Sequence, residues 1–152
     1  VEFEKSINEQ RVLILRGGTK REVLLELVDT VSKSANIRDV EQLKNAIFYR
    51  EELMSTGIGL GIAVPHVRIP EIEEPITAVG VSHEGIKDYE SLDDQLIRVI
   101  VMIVAGKEQH KRYIKLLAEI TSKLKSDDVL KKLLKAENSE EIYRILLGQE
   151  NA

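Results

Sequence analysis

One histidine stands where group-transfer chemistry is easiest to build. His66 follows Pro65 directly and lies just beyond three alternating glycines, Gly57, Gly59 and Gly61. Proline fixes its own φ and pushes Val64 toward an extended conformation, so the imidazole leaves a stiff corner at a set angle. A neutral imidazole near pH 7, with an unperturbed pKa of about 6.5, is a competent nucleophile. Backbone amides freed by a glycine-rich turn can form a concave anion site, which makes Gly59 and Gly61 candidate phosphate ligands. Arg50 and Arg68 flank the stretch and supply planar, permanently charged donors for phosphate oxygens. These parts predict a histidine that accepts a phosphoryl group and passes it on. Taken singly, His66 reads as an ordinary strand-end residue, and Arg50 as a solvated helix end whose charge complements the dipole. Their grouping favours chemistry.

The run Arg50-Glu51, then Ser55-Thr56-Gly57-Ile58-Gly59, then Gly61 and Ala63-Val64-Pro65-His66 resembles the signature of a known family. That family is the enzyme IIA domains of the phosphotransferase system, of the fructose, mannitol and nitrogen-regulatory type. The resemblance extends over nearly the whole chain. It implies that His66 is transiently phosphorylated and that Arg50 takes the position of the family arginine. It also implies the phosphocarrier protein HPr as donor, with a IIB domain or a regulatory target as the next partner. No metal or organic cofactor is implied.

The chain departs from the family at a second histidine, which family members carry at the start of a helix just before two aliphatic residues. Aligning Tyr113-Ile114-Lys115-Leu116-Leu117-Ala118 with that helix places Tyr113 there. His110, three residues earlier on the same helical face, is the alternative counterpart. A tyrosine donates one hydrogen bond but brings no positive charge. His83 lies in a polar stretch and reads as a surface residue. The three histidines show no His-x-His or His-Glu-x-x-His spacing, so no metal site is predicted.

The elements that must hold these residues follow from periodicity. Val12 to Leu15, Ile62 to Val64, Ile76 to Ser82 and Leu96 to Val104 read as strands, the last buried on both faces. Thr19 with Glu22 matches a capping box opening a helix to Ser34, and Asp39 with Gln42 opens a second that ends near Arg50. Residues 1–10 carry little pattern, and residues 83–95 read as a polar, turn-rich connection. Tyr113, Ile114, Leu116, Leu117, Ile120 and Leu124 give the strongest helical face. A short helix from Asp128 and a last one capped by Asn138 and stopped by Gly148 complete the chain. Interleaved strands and helices define an α/β fold. The resemblance sharpens this to a small mixed sheet flanked by helices.

At 152 residues the chain is expected to form one domain over residues 1–152. It starts at Val1, so the natural product is expected to begin earlier. A net charge of −4 argues against a general nucleic-acid binder and suits a basic protein partner. No apolar run is long enough for direct membrane insertion. The absence of cysteine is compatible with an intracellular, cytoplasmic setting.

Overall fold

The apolar runs assemble around a nine-residue central strand, Ile97–Ala105, in a computed structural model that describes residues 2–35 and 37–149. The domain expected over residues 1–152 therefore has its ends, and Asn36, outside the described residues. Side chains alternate across the central strand with period two. Val99, Val101, Ile103 and Ala105 enter one apolar cluster, while Ile100, Met102 and Val104 enter another. Both faces of the sheet are thus covered by helices.

The strands are β1 (Val12–Ile14), β2 (Gly57–Gly59), β3 (Ile62–Ala63), β4 (His66–Arg68), β5 (Ile76–Ile86) and β6 (Ile97–Ala105). They form one six-stranded mixed sheet in the order β1-β5-β6-β3-β2, with β4 also paired to β6. Helices α1 (Glu2–Ser6), α4 (His110–Leu124), α5 (Asp127–Lys135) and α6 (Ser139–Leu147) pack on one face. Helices α2 (Lys20–Ser34) and α3 (Val40–Leu53) pack on the other. The α/β fold expected from the sequence, a mixed sheet flanked by helices, is the fold observed. No helix among the described residues is long and apolar enough to cross a membrane.

Local signals place the helix starts. Thr19 and Glu22 form the predicted capping box on α2, and the side chains of Asp39 and Asn138 cap α3 and α6. Gly148, with φ of 69°, ends α6 in the left-handed conformation.

The differences from the sequence reading have physical causes. Residues 1–10 are not featureless: Phe3 and Ile7 enter the core, and a 3-10 turn spans Glu9–Arg11. Three apolar residues, Val1, Phe3 and Ile7, in so short a stretch are too few to show a period. Gly57–Gly59 is a strand rather than a free loop, forming a hairpin with β3 through Leu60 (φ 60°) and Gly61 (φ 78°). Two successive left-handed residues match the twist of a tight hairpin. β5 continues past Ser82 to Ile86, with His83 and Glu84 exposed on the overhang. His83 nonetheless has a partner, bonding through Nε2 to the Ala136 carbonyl at 2.6 Å.

Candidate phosphoryl site

β3 and β4 lie in line along the same edge of β6. Ala63 sits opposite Ile100 and His66 opposite Ile103, so the chain crosses Val64-Pro65 without losing register. Pro65 has no amide to give, but its carbonyl accepts from the Ile103 amide at 3.0 Å. His66 is therefore rooted in the sheet as the first residue of β4.

Its ring is fixed as well. Nδ1 lies 2.6 Å from the Val64 carbonyl, and a carbonyl can only accept, so Nδ1 holds the proton. Nε2 is left with its lone pair as the nucleophilic atom. The half-buried ring has a pKa below the ordinary value of 6.5, chiefly because burial disfavours the cation. The Val64 bond opposes that shift, the Arg50 charge adds to it and Glu51 opposes it. The sign is favourable for nucleophilic work, because a lowered pKa keeps the ring neutral at pH values where a free histidine is already charged. With the donor held phosphorylated, the rate of phosphoryl uptake is expected to persist as pH falls through 6.5 and to drop only below it. A pH–rate profile of His66 labelling checks this, and a midpoint above 6.5 would contradict it.

A shallow pocket of about 430 Å³ opens on this ring. α3 contributes Tyr49 and Arg50, β4 contributes Arg68 beside His66, and α4 contributes His110 and Tyr113. The structure thus brings five of the sequence candidates to one pocket: His66, Arg50, Arg68, His110 and Tyr113. Arg50 is in the last turn of α3, where its charge complements the helix dipole, and one Nη donates to the Met54 carbonyl at 2.8 Å. The remaining guanidinium donors leave capacity for an anion. His110 opens α4, so the helix does reach back to the second histidine considered for the site.

Of the two α4 candidates, Tyr113 makes a ring contact with His66. Its ring centroid lies 5.4 Å from that of His66, tilted by 43°. Burial pushes its phenol up to about 12, against the pull of the Arg50 and Arg68 charges. The hydroxyl is closed off from solvent and has no hydrogen-bond partner. An orphaned buried donor is uncommon.

Gly59 and Gly61 are placed elsewhere, which corrects their reading as phosphate ligands next to His66. Ile62 pairs with Val99 whereas His66 pairs with Ile103, a separation of about 13 Å along β6 at strand rise. The Leu60 amide there donates to Asp93 Oδ2 at 2.9 Å, and the Gly61 carbonyl accepts from the Arg98 and Val99 amides. These two backbone groups of the turn are spent on Asp93 and on β6. Sequence reasoning also passed over Glu51, a buried carboxylate next to Arg50. Nothing in its spacing distinguishes it from a solvated helix residue.

Comparison with known proteins bears on the family and the fold. Residues 5–148 match the family described as phosphoenolpyruvate-dependent sugar phosphotransferase system, EIIA 2. The fructose-specific EIIABC component of Bacillus subtilis is 35% identical over 127 residues, covering 84% of this chain. The chain spans only 20% of that relative's length. A nitrogen regulatory protein of Pseudomonas aeruginosa is 28% identical over 152 residues, covering 99% of this chain and 98% of the relative. In fold, the nitrogen regulatory protein IIA-Ntr of Neisseria meningitidis superposes with a TM-score of 0.84 at 20% identity, covering 93% of this chain and 97% of that one. Enzyme IIA mannitol of Escherichia coli, solved in complex with phosphorylated enzyme IIB mannitol, gives 0.73 at 22% identity, covering 93% and 97%.

Proposed function

The chain belongs to the phosphoenolpyruvate-dependent sugar phosphotransferase system EIIA 2 family, and from that membership we propose that it carries a phosphoryl group on Nε2 of His66. The observation that supports this most directly is the His66 ring held by Val64 with Nε2 free, in a pocket shared with Arg50. The donor is the phosphohistidine of HPr. The Nε2 lone pair attacks its phosphorus, the P–N bond to the donor ring breaks, and that ring, protonated on its other nitrogen, leaves with the bonding pair as a neutral imidazole. Nδ1 of His66 keeps its proton against Val64 throughout. Arg50, with Arg68 nearby, offsets the charge on the three peripheral oxygens, a task of positioning and electrostatics rather than covalent chemistry. Transfer to a IIB domain reverses the same step, and the mannitol IIA–IIB complex among the fold neighbours supports such a partner. No cofactor enters. We place this activity in one EIIA domain over residues 1–152, in the cytoplasm.

The Tyr113 hydroxyl completes the site by donating to a phosphoryl oxygen, with His110 at the pocket rim. Tyr113→Phe is expected to leave thermal stability unchanged or slightly raised, since an unpartnered buried hydroxyl is removed. The same change should slow labelling of His66 by about tenfold. Tyr113→His, which brings a group able to carry positive charge, should raise the rate above wild type. Unchanged labelling in both variants would remove Tyr113 from the site.

A second reading is a regulatory module whose affinity for a target protein is switched by the charge of phosphorylated His66. The tyrosine at the second-histidine position favours it, as does the end-to-end match with a nitrogen regulatory protein. The test of both begins with phosphoenolpyruvate, enzyme I and HPr, followed by intact mass. One acid-labile, base-stable phosphoryl adduct supports the site, and no adduct refutes it. Onward transfer from the labelled protein to IIB domains identifies the carrier; labelled protein that passes its group to none identifies the regulator.

A further inference from the structure

Glu51 follows Arg50 in the last turn of α3 and is only 5% exposed. A carboxylate is badly placed there twice over, because burial strips its hydration and the helix dipole at that end is negative. It is tolerated because its charge is gripped. Lys20 Nζ, from the first residue of α2, lies 3.1 Å from Oε1. The Thr56 amide donates to Oε1 at 3.3 Å and the Thr56 hydroxyl donates to Oε2. With that hydroxyl proton committed, Tyr89 donates its own to Thr56 Oγ1 at 3.1 Å. Lys20 Nζ also lies 4.5 Å above the Tyr89 ring, so the cation is held by two partners. One carboxylate therefore ties the start of α2, the end of α3, the turn before β2 and the connection between β5 and β6.

Arg50 depends on the same parts. Its side chain leaves the helix one residue before Glu51, and the acceptor that aims it, the Met54 carbonyl, belongs to the turn that Thr56 anchors. We infer that Glu51 is a positioning residue for Arg50, its buried carboxylate fixing both the helix end from which the guanidinium departs and the carbonyl that directs it. Lys20, Thr56 and Tyr89 act through Glu51 and touch no reacting atom. The inference rests, for its kinetic arm, on the phosphoryl reading of His66.

A double-mutant cycle tests it. Glu51→Gln keeps the shape and removes the charge. It is expected to lower the rate of His66 labelling at saturating phosphorylated HPr by about tenfold, with KM for HPr within about twofold. In an Arg50→Ala background the same change should alter the rate by less than about twofold, because the residue it positions is gone. A purely structural role predicts equal losses in both backgrounds. Thr56→Val, which removes the hydroxyl donated to Glu51 at similar volume, replaces Glu51→Gln in the cycle if that variant does not fold. An arm without phosphotransfer measures ¹⁵N relaxation of the Arg50 Nε–Hε group, whose order should fall in either variant. Equal losses in both backgrounds, no loss in either, or unchanged Arg50 order overturns the inference. If wild type takes up no phosphoryl group while Arg50 order still falls, the His66 reading fails and the positioning role stands.

Discussion

His66→Ala is expected to take up no phosphoryl group from HPr, while keeping the fold and the melting behaviour of wild type to within about 1 kcal/mol. The ring is half-buried at the pocket mouth rather than in either apolar cluster, so its loss opens no core cavity. Its hydrogen bond to the Val64 carbonyl, once lost, leaves an acceptor that water can reach through the open pocket. The chemical consequence is total, since neither Arg50 nor Tyr113 can supply an uncharged nucleophilic nitrogen. His110 lines the same pocket and is the one residue able to stand in. Peptide mapping of the labelled wild type distinguishes the two, and label on His110 would reassign the nucleophile.

Arg50→Ala is expected to slow labelling by about a hundredfold to a thousandfold, the range seen when one preorganised donor to a developing charge is removed. The loss should fall on the turnover rate more than on KM, because the guanidinium meets the phosphoryl oxygens as the group transfers. Arg50→Lys should recover only part of it, since an ammonium lacks the planar fork. Stopped-flow labelling with phosphorylated HPr measures both numbers. A loss below about fivefold would assign the oxyanion role to Arg68, which shares the pocket.

Elements with dense local signals were legible without coordinates. The apolar run ending at Val104 could only be a strand covered on both faces, and Thr19 with Glu22 named the start of α2 to the residue. The candidates at 113 and 110 came from the family resemblance, which aligned Tyr113 with the second histidine, and from helical spacing, which put His110 on the same face. What failed were inferences from composition about where backbone groups point. Gly59 and Gly61 have the conformational freedom of an anion cradle, yet tertiary pairing uses that freedom for a hairpin that turns back toward Asp93 and Leu96. A Cβ at Gly57 would lie 2.2 Å from the Glu90 carbonyl, a close approach between distant segments that no local pattern encodes. Glu51 was read only as part of the Arg-Glu signature and given no role, its partners being Lys20 and Thr56 on separate elements. A buried charge is recognised by its surroundings, and those are assembled only by folding.

Because β4 is stitched to β6 along its whole length, the backbone under His66 would stay in place were the ring to gain or lose the phosphoryl group proposed for it. Loaded and unloaded forms then share nearly one outline and differ in electrostatic potential over a few square nanometres of α3, β4 and α4. A protein that discriminates between them must do so as an electrometer rather than as a mould.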